Sequence, residues 1–298
     1  MCGTWGGTGI GETQIGAPDL EWETSKKLNI GIDAKFYNDR FNLVTDFFRT
    51  KTTGIFQQRE NIPDEAGMSS VLPFTNIGSM KSWGVDGTLE YTQPINPDMS
   101  FTMRGNLTFA KNKVEYWEQS GVNYPYQSYT GVPYGVQRGL IALGSPKQTF
   151  MDNVLPGDIK YKDVNGDGVI NDDDIVPLSY SNVPQIQYGL GLEFNWKNLR
   201  VSALIEGVGK VEYFYGGTGY YPFAWESRGN LLTIASDQSN RWTPASYSGT
   251  KDTENPNARF PRLTYGENKN NNRNSTFWLA DGRYVRLKNV EVSYAVAP

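Results

Sequence analysis

Residues 163–174 of the sequence, DVNGDGVINDDD, carry the residue types that bind calcium. Calcium loops of the EF-hand type take oxygen ligands from positions 1, 3, 5, 7, 9 and 12 and need glycine at position 6. Gly168 occupies position 6, and aspartate replaces the usual glutamate at position 12. A solvated acidic turn is the alternative, because the same residues are good turn formers. The pattern predicts a structural Ca²⁺ with the ligands Asp163, Asn165, Asp167, the carbonyl of Val169, Asn171 and Asp174.

The flanks of this segment argue against a calcium-sensing EF-hand, which has a helix on each side. Pro156 and Gly157 precede the segment, and Pro177 and Pro184 follow it. Proline and glycine interrupt helices, so neither flank can form a long one. We therefore expect calcium to fix an irregular segment, with Ile170 at position 8 packed against a core.

The composition favours a β-rich chain and excludes several kinds of chemistry. The 298 residues include 32 glycines, and 13% of them are aromatic. Histidine is absent and Cys2 is the single cysteine, which removes Ser-His-Asp and Cys-His catalysis, His-ligated zinc sites and disulfides within the chain. The net charge of −4 does not suggest a nucleic-acid partner. No apolar run approaches the roughly 18 residues of a transmembrane helix.

Alternation of apolar and polar residues predicts β-strands along much of the chain. The predicted strands are 28–36, 41–49, 83–91, 101–109, 188–196, 199–208 and 284–296.

The connections between these strands alternate between short and long. Tight turns are expected at 37–40, 93–99 and 197–198, and long segments lie at 50–79, 111–184 and 209–275. Short turns at one end and long loops at the other are typical of an outer-membrane β-barrel.

Aromatic residues recur eight positions apart on one face of three predicted strands. The pairs are Trp83 with Tyr91, Phe101 with Phe109, and Tyr188 with Trp196. Eight steps of ~3.3 Å along a strand tilted by ~40° rise roughly 20 Å, which approaches the ~25 Å apolar band of a membrane barrel. A soluble β-sandwich is the alternative, since its strands also alternate. On the opposite face, a wet interior would be lined by Asp33, Asp86, Glu90, Arg104 and Glu193.

Two long loops are rich in aromatic residues. Aromatic faces stack on sugar rings and their polar tips form hydrogen bonds, so contact with a substrate or protein partner is one reading and packing between loops is the other. The asparagine-rich segment 268–274 predicts a polar, flexible loop tip without chemistry. The candidate contact residues are Trp117, Tyr124, Tyr126, Tyr129, Tyr215, Tyr220, Tyr221 and Trp225.

Four stretches together resemble a known family of membrane proteins. They are PDLEWETSKKLNIGID (18–33), NIGSMKSWGVDGTLEY (76–91), GDIKYKDVNGDGVINDDD (157–174) and YVRLKNVEVSY (284–294). They resemble the C-terminal half of the barrel in SusC/RagA-type TonB-linked outer-membrane proteins. The resemblance implies an all-β fold, an antiparallel transmembrane β-barrel of about 22 strands. This chain would supply about eight to ten of these strands, with long extracellular loops.

The same resemblance implies a function in the outer membrane of a Gram-negative bacterium. It implies a non-enzymatic importer of oligosaccharides or peptides, driven by the TonB complex and working with a SusD-like surface lipoprotein. We expect residues 1–298 to be the C-terminal part of the barrel, with 111–184 as a long outer loop and without the N-terminal plug. The alternative function is a secreted, calcium-stabilised β-sandwich that binds glycans.

Overall fold

The computed structural model describes residues 15–17, 19–63, 65, 72–143, 154–223 and 230–296. Its main element is an antiparallel sheet of seven strands. In spatial order these are β1 (Thr24–Phe36), β2 (Phe41–Gln58), β3 (Phe74–Asn96), β4 (Met99–Tyr116), β7 (Ile186–Trp196), β8 (Leu199–Gly209) and β11 (Tyr284–Tyr294).

Smaller elements lie in the long connections. Strand β5 (Val136–Gly139) pairs with β6 (Val176–Ser181), and β9 (Glu212–Phe214) pairs with β10 (Leu279–Asp281). The short helices are α1 (Thr233–Ser236) and α2 (Ala245–Ser248). No helix in the described part of the chain is long and apolar enough to cross a membrane.

All seven predicted strands are present, and most extend further than their alternating cores. The turn expected at 93–99 is tighter than predicted, because β3 runs to Asn96 and β4 begins at Met99. Gln93 and Pro94 still lie opposite partners in β4, so the ladder continues past the alternating pattern. Strand β4 also runs to Tyr116, which moves the start of the long connection from 111 to 117.

One face of the main sheet is apolar and uncovered. The register places Ile30 opposite Phe47, Phe47 opposite Val85, and Val85 opposite Phe109, and residues opposite each other share a face. Ile30 is 58% exposed, although apolar residues of this kind are usually buried in a water-soluble fold. The same face carries the predicted aromatic pairs, Trp83, Tyr91, Phe101, Phe109, Tyr188 and Trp196.

The opposite face of the sheet is polar and crossed by ion pairs. Glu90 pairs with Arg104 on the neighbouring strand, and Glu193 lies 2.6 Å from Arg200. Asp33 and Asp86 lie on this face too, so the five residues predicted to line a wet interior share one side. The sheet thus separates an apolar environment from an aqueous one.

The buried core lies in the long connections and not on the sheet. We call residues 117–143, 154–185, 210–223 and 230–283 the loop lobe; they join strands of the main sheet at the end opposite the short turns. Apolar side chains meet there in one cluster, while the sheet keeps its apolar face outside. The cluster consists of Leu140, Ile159, Tyr161, Ala235, Phe260 and Trp278.

Candidate functional site

The predicted calcium segment folds into a compact loop that its own side chains hold closed. Asp163 accepts a hydrogen bond from the backbone N–H of Gly168 at 2.8 Å. The fully buried Asp174 accepts from the N–H groups of Val164 at 2.6 Å and Asn171 at 3.0 Å. One carboxylate at the end of the segment therefore ties its start to its ninth position.

The remaining candidate ligands follow the same pattern of short local bonds. Asn165 accepts from the N–H of Asp167 at 3.1 Å, and Asp167 accepts from that of Val169 at 2.7 Å. A carboxylate or amide oxygen has two lone pairs, so each of these atoms retains acceptor capacity. Ile170 packs against the core cluster, as predicted.

The candidate ligands in residues 163–174 are a mixture of carboxylates, side-chain amides and one backbone carbonyl. Among the described residues, no three Asp, Glu, His or Cys side chains gather into a group that could hold a metal ion. A cation in this segment would therefore rely on amide and backbone carbonyl oxygens in addition to carboxylates, which Ca²⁺ accepts. The calcium assignment stays a prediction.

Two of the candidate aromatic residues pack against this acidic segment. The rings of Tyr124 and Tyr126 are stacked with centroids 5.4 Å apart. The Tyr126 hydroxyl donates to the carbonyl oxygen of Asp173 at 2.7 Å, and the amide of Asn165 donates to the Tyr124 hydroxyl at 3.1 Å. Burial raises the pKa of the Tyr126 phenol. These contacts hold two loops together. For Tyr124 and Tyr126 they favour packing between loops over contact with a ligand.

Trp117 and Tyr129 line an open cavity of about 370 Å³ at the edge of the lobe. Tyr129 is 42% exposed, and the guanidinium of Arg138 lies 5.0 Å from its ring centroid. The cavity is walled by apolar and aromatic groups, with Val114 and Tyr134 among them. Tyr129 and Tyr134 keep part of their surface exposed at this cavity, whereas Val114 is buried.

A second aromatic group surrounds Tyr215. Its ring centroid lies 5.3 Å from that of Tyr213 and 4.6 Å from that of Tyr220, and Tyr220 is 37% exposed. Tyr221 instead meets the core residue Trp278, with centroids 5.2 Å apart. Trp225 lies outside the described residues.

The asparagine-rich segment 268–274 was predicted to be a flexible loop tip, and this prediction is wrong. Asn271 is 2% exposed, and its amide donates to the carboxylate of Asp158 at 2.9 Å. Asn268 donates to the same carboxylate at 3.0 Å, and Asn270 donates to the carbonyl of Ile159 at 2.9 Å. The segment is folded into the lobe because its amides satisfy a buried acid.

Asp158 is the centre of this network. It is 1% exposed and pairs with Arg262, whose Nε lies 2.8 Å from one carboxylate oxygen. The N–H of Leu155 donates to the other oxygen at 2.9 Å. Gly157, with φ +92°, keeps Trp242 close, because a Cβ there would lie 2.2 Å from the indole ring. The sequence alone did not predict this network, because Arg262, Asn268 and Asn271 lie more than a hundred positions from Asp158.

A second buried acid joins the lobe to the connection between β2 and β3. Glu118 is 4% exposed, and it accepts at 2.9 Å from the side chain of Arg59 and from the backbone N–H groups of Glu60 and Asn61. Burial opposes ionisation of Glu118, but the three donors and the Arg59 charge together hold its pKa below the ordinary value of 4.5. The carboxylate is thus an anchor for residues 59–61.

We expect this anchor to loosen in acid. Because the folded pKa is below the unfolded one, the stabilisation by Glu118 is fully present above about pH 4.5 and is lost as pH falls through the lowered pKa. The loss of this stabilisation is measured by hydrogen exchange of the backbone amides of Glu60 and Asn61 as a function of pH. Glu118→Gln should expose these amides at neutral pH, at a cost of about 1.5–3 kcal/mol. Equal protection in the variant and the parent would contradict the anchor.

Comparison with known proteins shows which family of proteins this sheet belongs to. The sequence model of the family described as TonB dependent receptor-like, beta-barrel matches residues 3–297. The chain belongs to this family of TonB-dependent receptor β-barrels. In such a barrel the apolar face of the sheet meets lipid, and the face with the ion pairs meets the water-filled interior. Barrels of this family lie in the outer membrane of Gram-negative bacteria.

Two relatives from Formosa agariphila match almost the whole chain. They are TonB-dependent receptor P26, 27% identical over 96% of this chain, and TonB-dependent receptor P3, 24% identical over 96%. The chain spans only 29% and 28% of their respective lengths. The seven-stranded sheet therefore corresponds to part of the wall of such a TonB-dependent receptor.

Solved structures agree on the TonB-dependent barrel fold. A structure of the RagAB peptide transporter matches 99% of this chain and 31% of its own, with TM-score 0.70 and 21% identity. The RagAB peptide importer in its open-open state matches with TM-score 0.69 and 22% identity. At these identities the likeness establishes the fold alone, that of a TonB-dependent outer-membrane barrel.

Proposed function

We propose that the chain forms wall and outer loops of an outer-membrane importer for oligosaccharides or peptides. The observation that carries this is the two-faced sheet, with lipid-facing apolar residues on one side and paired charges on the other, beneath a folded lobe. A SusD-like lipoprotein would cover the lobe, and the TonB complex would drive import through a plug domain. The similar RagAB structure is that of a peptide transporter, which supports import as the function of the whole protein.

The glycan-binding β-sandwich is the weaker alternative. A sandwich buries one face of each sheet against the other. In the described residues the apolar face of the main sheet has no second sheet against it, and the two small sheets belong to the loop lobe. Membership of a family of receptors and transporters supports the reading that the chain is not an enzyme.

The surfaces best placed to meet substrate or lipoprotein are the two open aromatic groups. Trp117 and Tyr129 line the cavity, while the exposed ring of Tyr220 lies against Tyr215, which is half-buried on the core cluster. Tyr124, Tyr126 and Tyr221 are engaged in packing and are weaker candidates.

Uptake in cells tests this proposal. Cells that carry the wild-type gene should take up labelled oligosaccharides or peptides that a deletion strain does not. Tyr129→Ala combined with Tyr220→Ala should reduce uptake or the recovery of a lipoprotein in mild detergent. Tyr37→Ala, on a short turn at the opposite end of the sheet, is the matched control. Uptake of both substrate classes that is unaffected by the deletion would refute the importer function.

We also propose that Ca²⁺ fixes residues 163–174. At an extracellular-type Kd of ~10⁻⁴ M, 1 mM Ca²⁺ would stabilise the segment by roughly 1.4 kcal/mol. Hydrogen exchange with and without chelator should show this difference, and Asp163→Asn with Asp167→Asn should abolish it while preserving the acceptors of the loop. Asp172→Asn, at an 87% exposed side chain outside the ligand set, is the control. Protection that is the same with and without Ca²⁺ would exclude the site.

A further inference from the structure

A row of four lysines crosses four neighbouring strands on the lipid-facing side of the sheet. The register places Lys26 opposite Lys51, Lys51 opposite Lys81, and Lys81 opposite Lys113. They share a face with Trp83, because Lys81 and Trp83 are two positions apart on β3. We call these four residues the lysine row. Their alignment is a property of the fold, since they come from four separate strands.

The height of the lysine row matches the edge of the apolar band. Tyr91 marks the rim near the short turns, where its ring lies 4.6 Å from that of Phe41. Lys81 lies ten residues from Tyr91 on β3, which at ~3.4 Å per residue and a ~40° tilt is about 26 Å across the membrane. The row is at the end of the long connections, which face outward in such barrels. It therefore lies at the headgroups of the outer leaflet.

The positive charge of this row is poorly compensated within the protein. Lys51 and Lys81 share one acid, Glu115, at 2.9 and 3.4 Å. Lys26 and Lys113 form no ion pair among the described residues and are exposed. Like charges directly opposite one another destabilise a sheet. Lys111 adds to the positive charge just below the row, with its Nζ 5.4 Å from the Phe109 ring centroid.

We propose that the lysine row binds the phosphate groups of an anionic glycolipid, the lipid A portion of lipopolysaccharide in the outer leaflet. An ammonium group is a point charge suited to phosphate, and neighbouring strands ~4.8 Å apart let one phosphate bridge two lysines. The next layer on this face still holds Arg49 and Lys111, and the apolar layer below that one, formed by Ile30, Phe47, Val85 and Phe109, takes the acyl chains. Charge and apolar surface thus meet in the order in which such a lipid presents them. The lipid holds this side of the barrel at a fixed depth.

Binding of lipid A to the purified protein in dodecyl maltoside micelles tests this site. The probe is fluorescent bisphosphorylated lipid A, compared with its dephosphorylated form. The variant is Lys26→Gln with Lys113→Gln, which leaves Glu115 paired. The matched control is Lys27→Gln with Lys35→Gln, which removes the same charge from the polar face of β1. Recovery of folded protein in both variants is checked by heat-dependent mobility in detergent gels.

We expect the Kd of the first variant for bisphosphorylated lipid A to rise about 30-fold, at about 1 kcal/mol for each lysine near an anionic surface. The control should change by less than about twofold, and added NaCl should weaken binding to the parent. Equal effects of both variants would overturn the site. Equal binding of dephosphorylated lipid A would show that apolar contact suffices, and displacement by millimolar inorganic phosphate would show recognition of a free anion. The first result would overturn the recognition of phosphate, and the second would overturn the assignment to a lipid.

Discussion

Replacing Asp158 by alanine should unfold much of the loop lobe while leaving the sheet in place. The carboxylate is buried and holds Arg262, Asn268 and Asn271 at once. Its removal leaves a guanidinium and two amides without their acceptor in a region of low dielectric. Breaking a buried pair of this kind costs about 3–5 kcal/mol. We expect amides of residues 154–162 and 268–279 to lose protection against hydrogen exchange and trypsin to cut at Lys269 and Arg273.

The matched control for this experiment is Asp252→Ala, which removes an exposed acid from the same lobe. Its effect should stay within about 0.5 kcal/mol. The strands of the main sheet should keep their protection in both variants, because their residues bond to neighbouring strands. The exception is the outer end of β4, where the amides of Ala110 and Val114 bond to Gln185 and Val132 of the lobe. Equal protection of the lobe in Asp158→Ala and the parent would show that the network does not hold it together.

Placing a charge at the centre of the apolar face should impair membrane folding. Leu107 is 50% exposed and lies opposite Gly87, midway between Trp83 and Tyr91 on β3. A lipid-facing arginine at the bilayer midplane costs about 2–4 kcal/mol. Leu107→Arg should lower the free energy of unfolding by this amount in urea titrations of the protein in phospholipid vesicles.

Two further variants isolate the cause of that loss. Asn106→Arg carries the same charge one residue away, on the polar face, and should cost about 1 kcal/mol or less. Leu107→Ala removes the apolar side chain without adding charge. A loss of similar size in Leu107→Arg and Asn106→Arg would mean that the two faces do not differ in environment.

The strands could be predicted from the sequence because their signal is local. In segments such as 101–109, the alternation of apolar and polar residues indicates directly that one face of the strand meets lipid and the other meets water. The aromatic residues eight positions apart mark the two edges of the apolar band. The ends of β3 and β4 were harder to place, because Gln93 and Pro94 continue the ladder after the alternation has ended. The packing of Ile170 also followed from its position in a known loop pattern.

The lobe could not be predicted because its stability comes from distant partners. Asn268 and Asp158 are separated by 110 positions, and no local feature distinguishes a buried asparagine from one at a flexible tip. The lysine row could not be predicted for the same reason. Its members come from distant parts of the chain, and the register of four strands is needed to align Lys26, Lys51, Lys81 and Lys113. Tyr126 likewise could not be recognised as a packing residue until Asp173 was placed beside it.

Accessibility along β4 tests the membrane-wall assignment most directly. With Cys2 replaced by serine, single cysteines at positions 101 to 109 would carry a fluorophore in vesicles containing nitroxide-labelled lipid. Positions 101, 103, 105, 107 and 109 should be quenched by the lipid, and positions 102, 104, 106 and 108 by aqueous iodide. Lipid quenching should peak near 105 and 107. Quenching without this two-residue alternation would contradict the assignment of the sheet as the wall of an outer-membrane barrel.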